Sequence, residues 1–266
     1  MANTEENTNK MSFKIKKIEN PKLKNPILIE GLPGMGNVGK IAVDFMIEGL
    51  KAKKFIEIKS NTFPNSVFVN EQNLIELPKI ELYYVNTNTN SLIFLSGDIQ
   101  PLDEKNCYKF CESILDVFQG LNGEEIITIG GIGLPQIPEK PKIFTTGNES
   151  KIIKKYKTQQ ISNNIYGVVG PIVGVSGLLL GLSKERKIPA ISFLAETFSH
   201  PSYLGLKGAK KIMQALGKTF SLELNTSELD KEIKEISTEE KNISKELKKF
   251  APKLPVQKES GTSYIG

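Results

Sequence analysis

Ile27-Leu28-Ile29-Glu30-Gly31-Leu32-Pro33-Gly34-Met35-Gly36-Asn37-Val38-Gly39-Lys40-Ile41 holds a short aliphatic strand, a glycine-rich turn and the first turn of a helix. The three consecutive aliphatic residues suit a strand buried on both faces, the glycines and Pro33 break it, and Asn37 to Leu50 is read as a helix. A strand, a tight turn and a covering helix, in that order, make the repeating unit of an α/β sheet. Working outward, further strands are expected at Phe55 to Ile58, Glu81 to Val85, Leu92 to Ser96, Ile126 to Ile129, Ile165 to Val169 and Ala190 to Leu194. Further helices are expected at Leu102 to Gln119, Val173 to Lys184 and Lys207 to Phe220, covering the sheet on both faces. The run Asn86-Thr87-Asn88-Thr89-Asn90 lies between two of the strands and predicts a hairpin, so part of the sheet is antiparallel. The fold class is therefore α/β: a three-layer sandwich around a mixed, mostly parallel sheet.

The opening loop fits two nucleotide-binding patterns. Gly34, Gly36 and Gly39 satisfy G-x-G-x-x-G between a strand and a helix, where backbone N–H groups and a helix N-terminus hold a pyrophosphate. The acid that would bind a ribose is missing, because the next strand ends Ile58-Lys59-Ser60 and Glu57 lies inside it. Gly34 to Lys40 also fits G-x-x-x-x-G-K, but Ile41 stands where Ser or Thr would hold magnesium. Two readings stay open: an anion-binding loop built from Gly34, Gly36, Gly39 and Lys40, or glycines that let a helix pack closely on the sheet. The first would make the chain a nucleotide- or nucleoside-binding enzyme acting through the loop Gly31 to Lys40.

A second turn, Gly170-Pro171-Ile172-Val173-Gly174-Val175-Ser176-Gly177, has the same setting. Gly174-Val175-Ser176-Gly177-Leu178 approaches a hydrolase nucleophile elbow, with Leu178 in place of the last glycine and the single histidine, His200, as the available base. Neither Cys nor His recurs at zinc spacing, so no metal site is expected, and no cofactor.

A chain of 266 residues with 39% hydrophobic and 24% charged residues can bury a sizeable core without metal or disulfide help. The net charge of +5 is carried almost wholly by lysine, Arg186 being the single arginine, which argues against sequence-specific nucleic-acid readout. Cys107 and Cys111, four apart in a predicted helix, read as small buried hydrophobes in a reducing compartment. Residues 1–10 are polar and do not read as a signal peptide, so a cytoplasmic protein is expected. The uncharged stretch Ile165 to Leu182 carries five glycines and Pro171, and so reads as a strand, a turn and a core helix instead of a membrane span.

Residues 1–20 form a flexible leader on this reading, residues 21–224 the α/β core, residues 225–250 an amphipathic helix and residues 251–266 a flexible tail. Leu229, Ile233, Ile236, Glu240, Ile243, Leu247 and Phe250 recur at alternating spacings of four and three, a heptad seam that either joins protomers or lies on its own domain. Ser227 and Asp230 are placed to cap it. Ser263-Tyr264-Ile265-Gly266 ends an arm with too few apolar residues to form a core of its own.

Taken together, Glu30 to Gly39, Gly130-Gly131-Ile132-Gly133, Gly174 to Leu180 and the segment Ile188 to Tyr203 resemble the archaeal branch of the proteasome assembly chaperone 2 family over about residues 25–220. The resemblance implies a fold related to nucleoside phosphorylases without their catalysis, a homo-oligomer such as a dimer or tetramer, and binding to the α-subunit ring of the core proteasome. It also implies docking by a tail of the type hydrophobic residue, tyrosine, any residue. Here Ser263 precedes Tyr264 and two residues, Ile265 and Gly266, follow it, which departs from that register. The implied activity is ATP-independent binding by a chaperone or activator-like protein, without membrane or nucleic-acid partners.

Overall fold

Successive residues of a central strand serve two different cores. Leu28 joins Ile93, Leu95, Ile126, Phe110, Ile114 and Leu179 in one apolar cluster, whereas Ile27 and Ile29 join Phe94, Ile127, Val43, Met46, Ile212 and Leu216 in another. That alternation is the period of a pleated strand, and it fixes a sheet with helices on both faces. The computed structural model describes residues 13–158, 161–162, 164–165 and 170–236.

In chain order the elements are β1 (Lys14–Lys17), β2 (Ile27–Glu30), α1 (Val38–Gly49), β3 (Lys53–Lys59), β4 (Phe68–Val69), β5 (Ile75–Glu76), β6 (Ile80–Asn86) and β7 (Ser91–Gly97). There follow α2 (Glu104–Gly120), β8 (Glu125–Leu134), β9 (Ile143–Gly147), α3 (Ser150–Lys155), β10 (Ile161–Ser162), α4 (Gly174–Glu185), β11 (Ala190–Phe198) and α5 (Leu206–Phe220). Residues 227–236 are helical as well. Nine strands form one sheet in the order β1-β3-β6-β7-β2-β8-β11-β9-β10, and β4 and β5 form a separate ribbon. α2 and α4 pack together over one face, and α1 and α5 over the other.

The sheet is mixed as expected, but its parallel part is smaller than the sequence reading had it. β7, β2, β8 and β11 run parallel in the middle, while β1-β3-β6-β7 and β11-β9 pair antiparallel. The hairpin at Asn86 to Asn90 is present, with Asn86 opposite Ser91. Residues 13–17, expected in a flexible leader, instead bury Phe13 and add β1 to the sheet edge, where Lys14, Lys16 and Lys17 stay exposed. Lysines on an edge strand discourage pairing with another chain. Gly130 to Gly133 is not a turn but lies inside β8. Of the strand expected at Ile165 to Val169, Ile165 is irregular and residues 166–169 lie outside the described residues.

The heptad seam is redirected at its start. Leu229 is 0% exposed within the chain's second core, and Ile233 and Ile236 pack against the same cluster. Asp230 takes the Lys210 ammonium of α5 and the Thr226 hydroxyl instead of capping with Ser227. The α1/α5 face offers apolar surface within the same chain, so Leu229 is a core residue and not a contact between protomers. Ile243, Leu247 and Phe250 lie outside the described residues. Leu229→Ala is expected to lower the unfolding free energy by about 2–5 kcal/mol in urea titrations, with the sedimentation mass of the folded protein unchanged.

Candidate functional site

The sequence motifs meet at the carboxyl ends of the parallel strands. From β2 the chain enters residues 31–37, where Gly36 has φ 61° and Asn37 φ 49°, and then starts α1. Gly36 faces Thr197 of β11 so closely that a Cβ would stand 2.3 Å from the threonine Oγ1, and its carbonyl accepts the Gly205 N–H at 2.7 Å. Gly39 lies against the Ile129 carbonyl, 2.4 Å from where its Cβ would be. Any side chain at Gly39 pushes α1 off the sheet. Gly131 of β8 leaves room for the Met35 carbonyl. The three glycine motifs are thus one packed junction, and their spacing is set by how closely α1, β8 and β11 approach.

Glu30 is buried at the centre of this junction. One carboxylate oxygen accepts the Leu32 N–H at 3.0 Å, the other the Ser176 hydroxyl at 2.9 Å. Ser176 sits in the first turn of α4, so the second glycine-rich turn is tied to the first through this carboxyl. Gln100, just past β7, ties them again: its Nε2 donates to the Pro33 carbonyl at 2.7 Å, and its Oε1 accepts the Val175 N–H at 3.2 Å. Glu30, Pro33, Gly34, Gln100, Gly131 and Ser176 line what space remains, a cleft with room for about one water molecule.

Burial pushes the Glu30 carboxyl up to about 7, against the downward pull of the Leu32 and Ser176 hydrogen bonds. Desolvation wins because the ionised form has lost its water and keeps only two partners.

This geometry disfavours the phosphate cradle. An anion entering the loop would meet the Glu30 carboxyl, which already takes the Leu32 N–H. Lys40, expected to face a phosphate, turns along α1 to Asp44 at 2.7 Å. Gly34, Gly36 and Gly39 are brought together as predicted, but their contacts are protein contacts. The hydrolase arrangement is not assembled either: Ser176 donates to Glu30, while His200 stacks on Phe198 and its Nδ1 accepts the Ser202 N–H. Cys107 and Cys111 are buried and unpaired. Among the described residues no helix is long and apolar enough to cross a membrane. Sequence reasoning missed Gln100 and the role of Glu30. A polar residue at the end of one strand and another three residues past a second were the available signal, and it needed the adjacency of β2 and β7 to be read. Ser263, Tyr264, Ile265 and Gly266 lie outside the described residues.

The PAC2 family profile matches residues 28–244. An uncharacterised protein of Methanocaldococcus jannaschii is 32% identical over 222 residues, covering 83% of each chain. Among solved structures, Pyrococcus furiosus PbaB, described as an archaeal proteasome activator, superposes with a TM-score of 0.80 at 32% identity, covering 88% of this chain and 99% of that one. Pyrococcus furiosus PbaA, described as an archaeal homologue of proteasome-assembly chaperone, gives 0.70 at 22% identity over 88% of this chain and 93% of its own, a likeness of fold.

Because the folded Glu30 carboxyl titrates near 7 and an unfolded one near 4.5, the folded state binds more protons between those values. The contribution of Glu30 to stability is therefore full below pH 4.5, declines as pH rises, and levels off above pH 7, by about 3 kcal/mol in all. Glu30→Gln can keep the Leu32 bond through its carbonyl oxygen and meet Ser176 with its amide as donor to the hydroxyl oxygen, and it carries no charge. Urea titrations of the two proteins from pH 4 to pH 8 should show the variant gaining on the natural protein across that window, with a flat difference beyond it.

Proposed function

The chain belongs to the PAC2 family, and on that footing we propose that it is an ATP-independent proteasome assembly chaperone or activator-like protein that binds the α-subunit ring of the core proteasome through its C-terminal segment. The observation that carries this reading is the similarity to PbaB at 32% identity, which extends over 99% of that chain. The junction around Glu30 supports it from the other side, since the glycine loops are consumed by packing and leave a cleft too small for a nucleotide. The work of such a protein is binding, with no bond made or broken.

In this proposal Tyr264 fills an apolar slot on the ring, Ile265 adds contact area and Gly266 supplies a charge-assisted contact, with Ser263 leading into them. One such arm binds weakly, because ordering it offsets several kcal/mol of the gross interaction. A homo-oligomer presenting several arms at once raises avidity by about 10²–10⁴ without new contacts.

Purified α-subunit rings from the source organism provide the test. The full chain should bind them, and a version lacking Tyr264, Ile265 and Gly266 should bind at least tenfold more weakly in surface-immobilised titrations. Equal binding by both versions would move recognition to the folded body. A thermal-shift series with ATP, NAD and nucleosides should leave the melting temperature unchanged, whereas a ligand at a hundredfold over its dissociation constant would add about 2.7 kcal/mol.

A further inference from the structure

The positive charge of the chain is concentrated in one place. Residues 14–24 and 51–59 hold nine lysines against two glutamates, Glu19 and Glu57, so their net charge of +7 exceeds the +5 of the whole chain and the remainder is on balance acidic. The fold gathers both segments at one border of the sheet. β1 pairs with β3, with Lys14 opposite Lys59 and Lys16 opposite Glu57. Beyond β1 the chain keeps to the same border: the Ile18 N–H donates to the Phe55 carbonyl at 2.8 Å, and the Lys24 carbonyl accepts the Ser91 N–H at 2.7 Å.

Little of that charge is answered within the chain. Lys54 is held by Glu81 at 2.8 Å and Lys59 by Glu57 at 2.8 Å. The other seven lysines form no ion pair among the described residues, and Glu19 instead accepts the Tyr84 hydroxyl at 3.1 Å. Lys14 and Lys59 face each other across the ladder, a like-charge pair that lowers the stability of the sheet. β1 is also the end strand, so every second residue turns a backbone N–H and C=O outward with no strand beside it among the described residues.

We propose that β1 is the docking edge for an acidic extended segment of a partner protein, which adds to the sheet as a tenth strand and sets its carboxylates against Lys14 and Lys16. The backbone edge supplies the ladder, and the lysines supply the choice of sequence. Lys14 and Lys16 lie on one face about 7 Å apart, the spacing of side chains at i and i+2 of any strand, so an incoming strand with an acid at every second position meets both. The lysines that turn away a second copy of this cationic edge thus favour an acidic one. Nucleic acid fits the edge less well. Neither segment holds an arginine to fork a phosphate, and their one aromatic ring, Phe55, is buried and unable to stack on a base.

The experiment titrates the full chain into three labelled probes and reads fluorescence anisotropy: a ten-residue Glu-Thr repeat, a ten-residue Glu-Pro repeat and a ten-nucleotide oligouridylate. The two peptides carry the same charge, but proline has no N–H and cannot continue a ladder. The Glu-Thr peptide should bind at least tenfold more tightly than the Glu-Pro peptide, and at saturation should slow amide hydrogen exchange across residues 14–17. Lys14→Gln combined with Lys16→Gln should weaken Glu-Thr binding at least tenfold with the circular dichroism spectrum unchanged. Equal affinity for the two peptides would reduce the edge to a charged surface and overturn the proposal, as would no binding of either or protection confined to other strands. Tighter binding of the oligouridylate than of the Glu-Thr peptide overturns it in favour of nucleic acid. Should the double variant lose its fold, the comparison of the two peptides on the natural protein, with the exchange pattern, decides by itself.

Discussion

The contact between Gly39 and the Ile129 carbonyl sets the distance from which everything else in the junction follows. With no side chain at Gly39, α1 lies directly on β8, and the loop leading into it is pulled over the strand ends. Gly36, which turns with a positive φ, lies where a Cβ would strike Thr197, and the Met35 carbonyl comes down on Gly131. A helix held one side chain further out would leave a cleft at the end of β2. In this chain that cleft is closed by Glu30, Ser176 and Gln100, which fasten the two glycine-rich turns to each other. Packing has taken the place that a phosphate occupies in loops of similar sequence.

The strand-turn-helix at residues 27–41 was legible because aliphatic runs, glycines and a helical segment each specify local geometry. The same holds for the hairpin at Asn86 to Asn90 and for the amphipathic face of α5. Other features depend on contacts distant in sequence. Phe13 and the lysine-rich β1 look like part of a polar leader until β3 is there to pair with them. The glycines of residues 130–133 look like a turn until the Met35 carbonyl is seen to need the space. Leu229, Ile233 and Ile236 have a coiled-coil spacing, but the same spacing suits a helix lying on a globular core, and only the position of α1 and α5 decides between them. The ribbon escaped notice because its strands are two residues long and exposed on both faces, so no alternation marks them. Glu30 is the opposite case: its identity was plain, its burial was not.

Burying an ionisable carboxyl at the junction costs stability near neutral pH, yet both of its oxygens are bonded and both turns depend on them. A hydrogen-bonded buried acid is costly in isolation but selective: alternatives in which α4 or the opening loop shifts would leave the carboxyl without partners, at a larger penalty. Glu30 thus holds the two turns to a single arrangement.

The ribbon of β4 and β5 stands outside this junction. It leaves the sheet between β3 and β6, in the antiparallel part next to the cationic β1 edge, whereas residues 227–236 pack with α1 and α5 over the parallel centre. The lysines of β1 oppose edge-to-edge sheet extension at that end of the sheet.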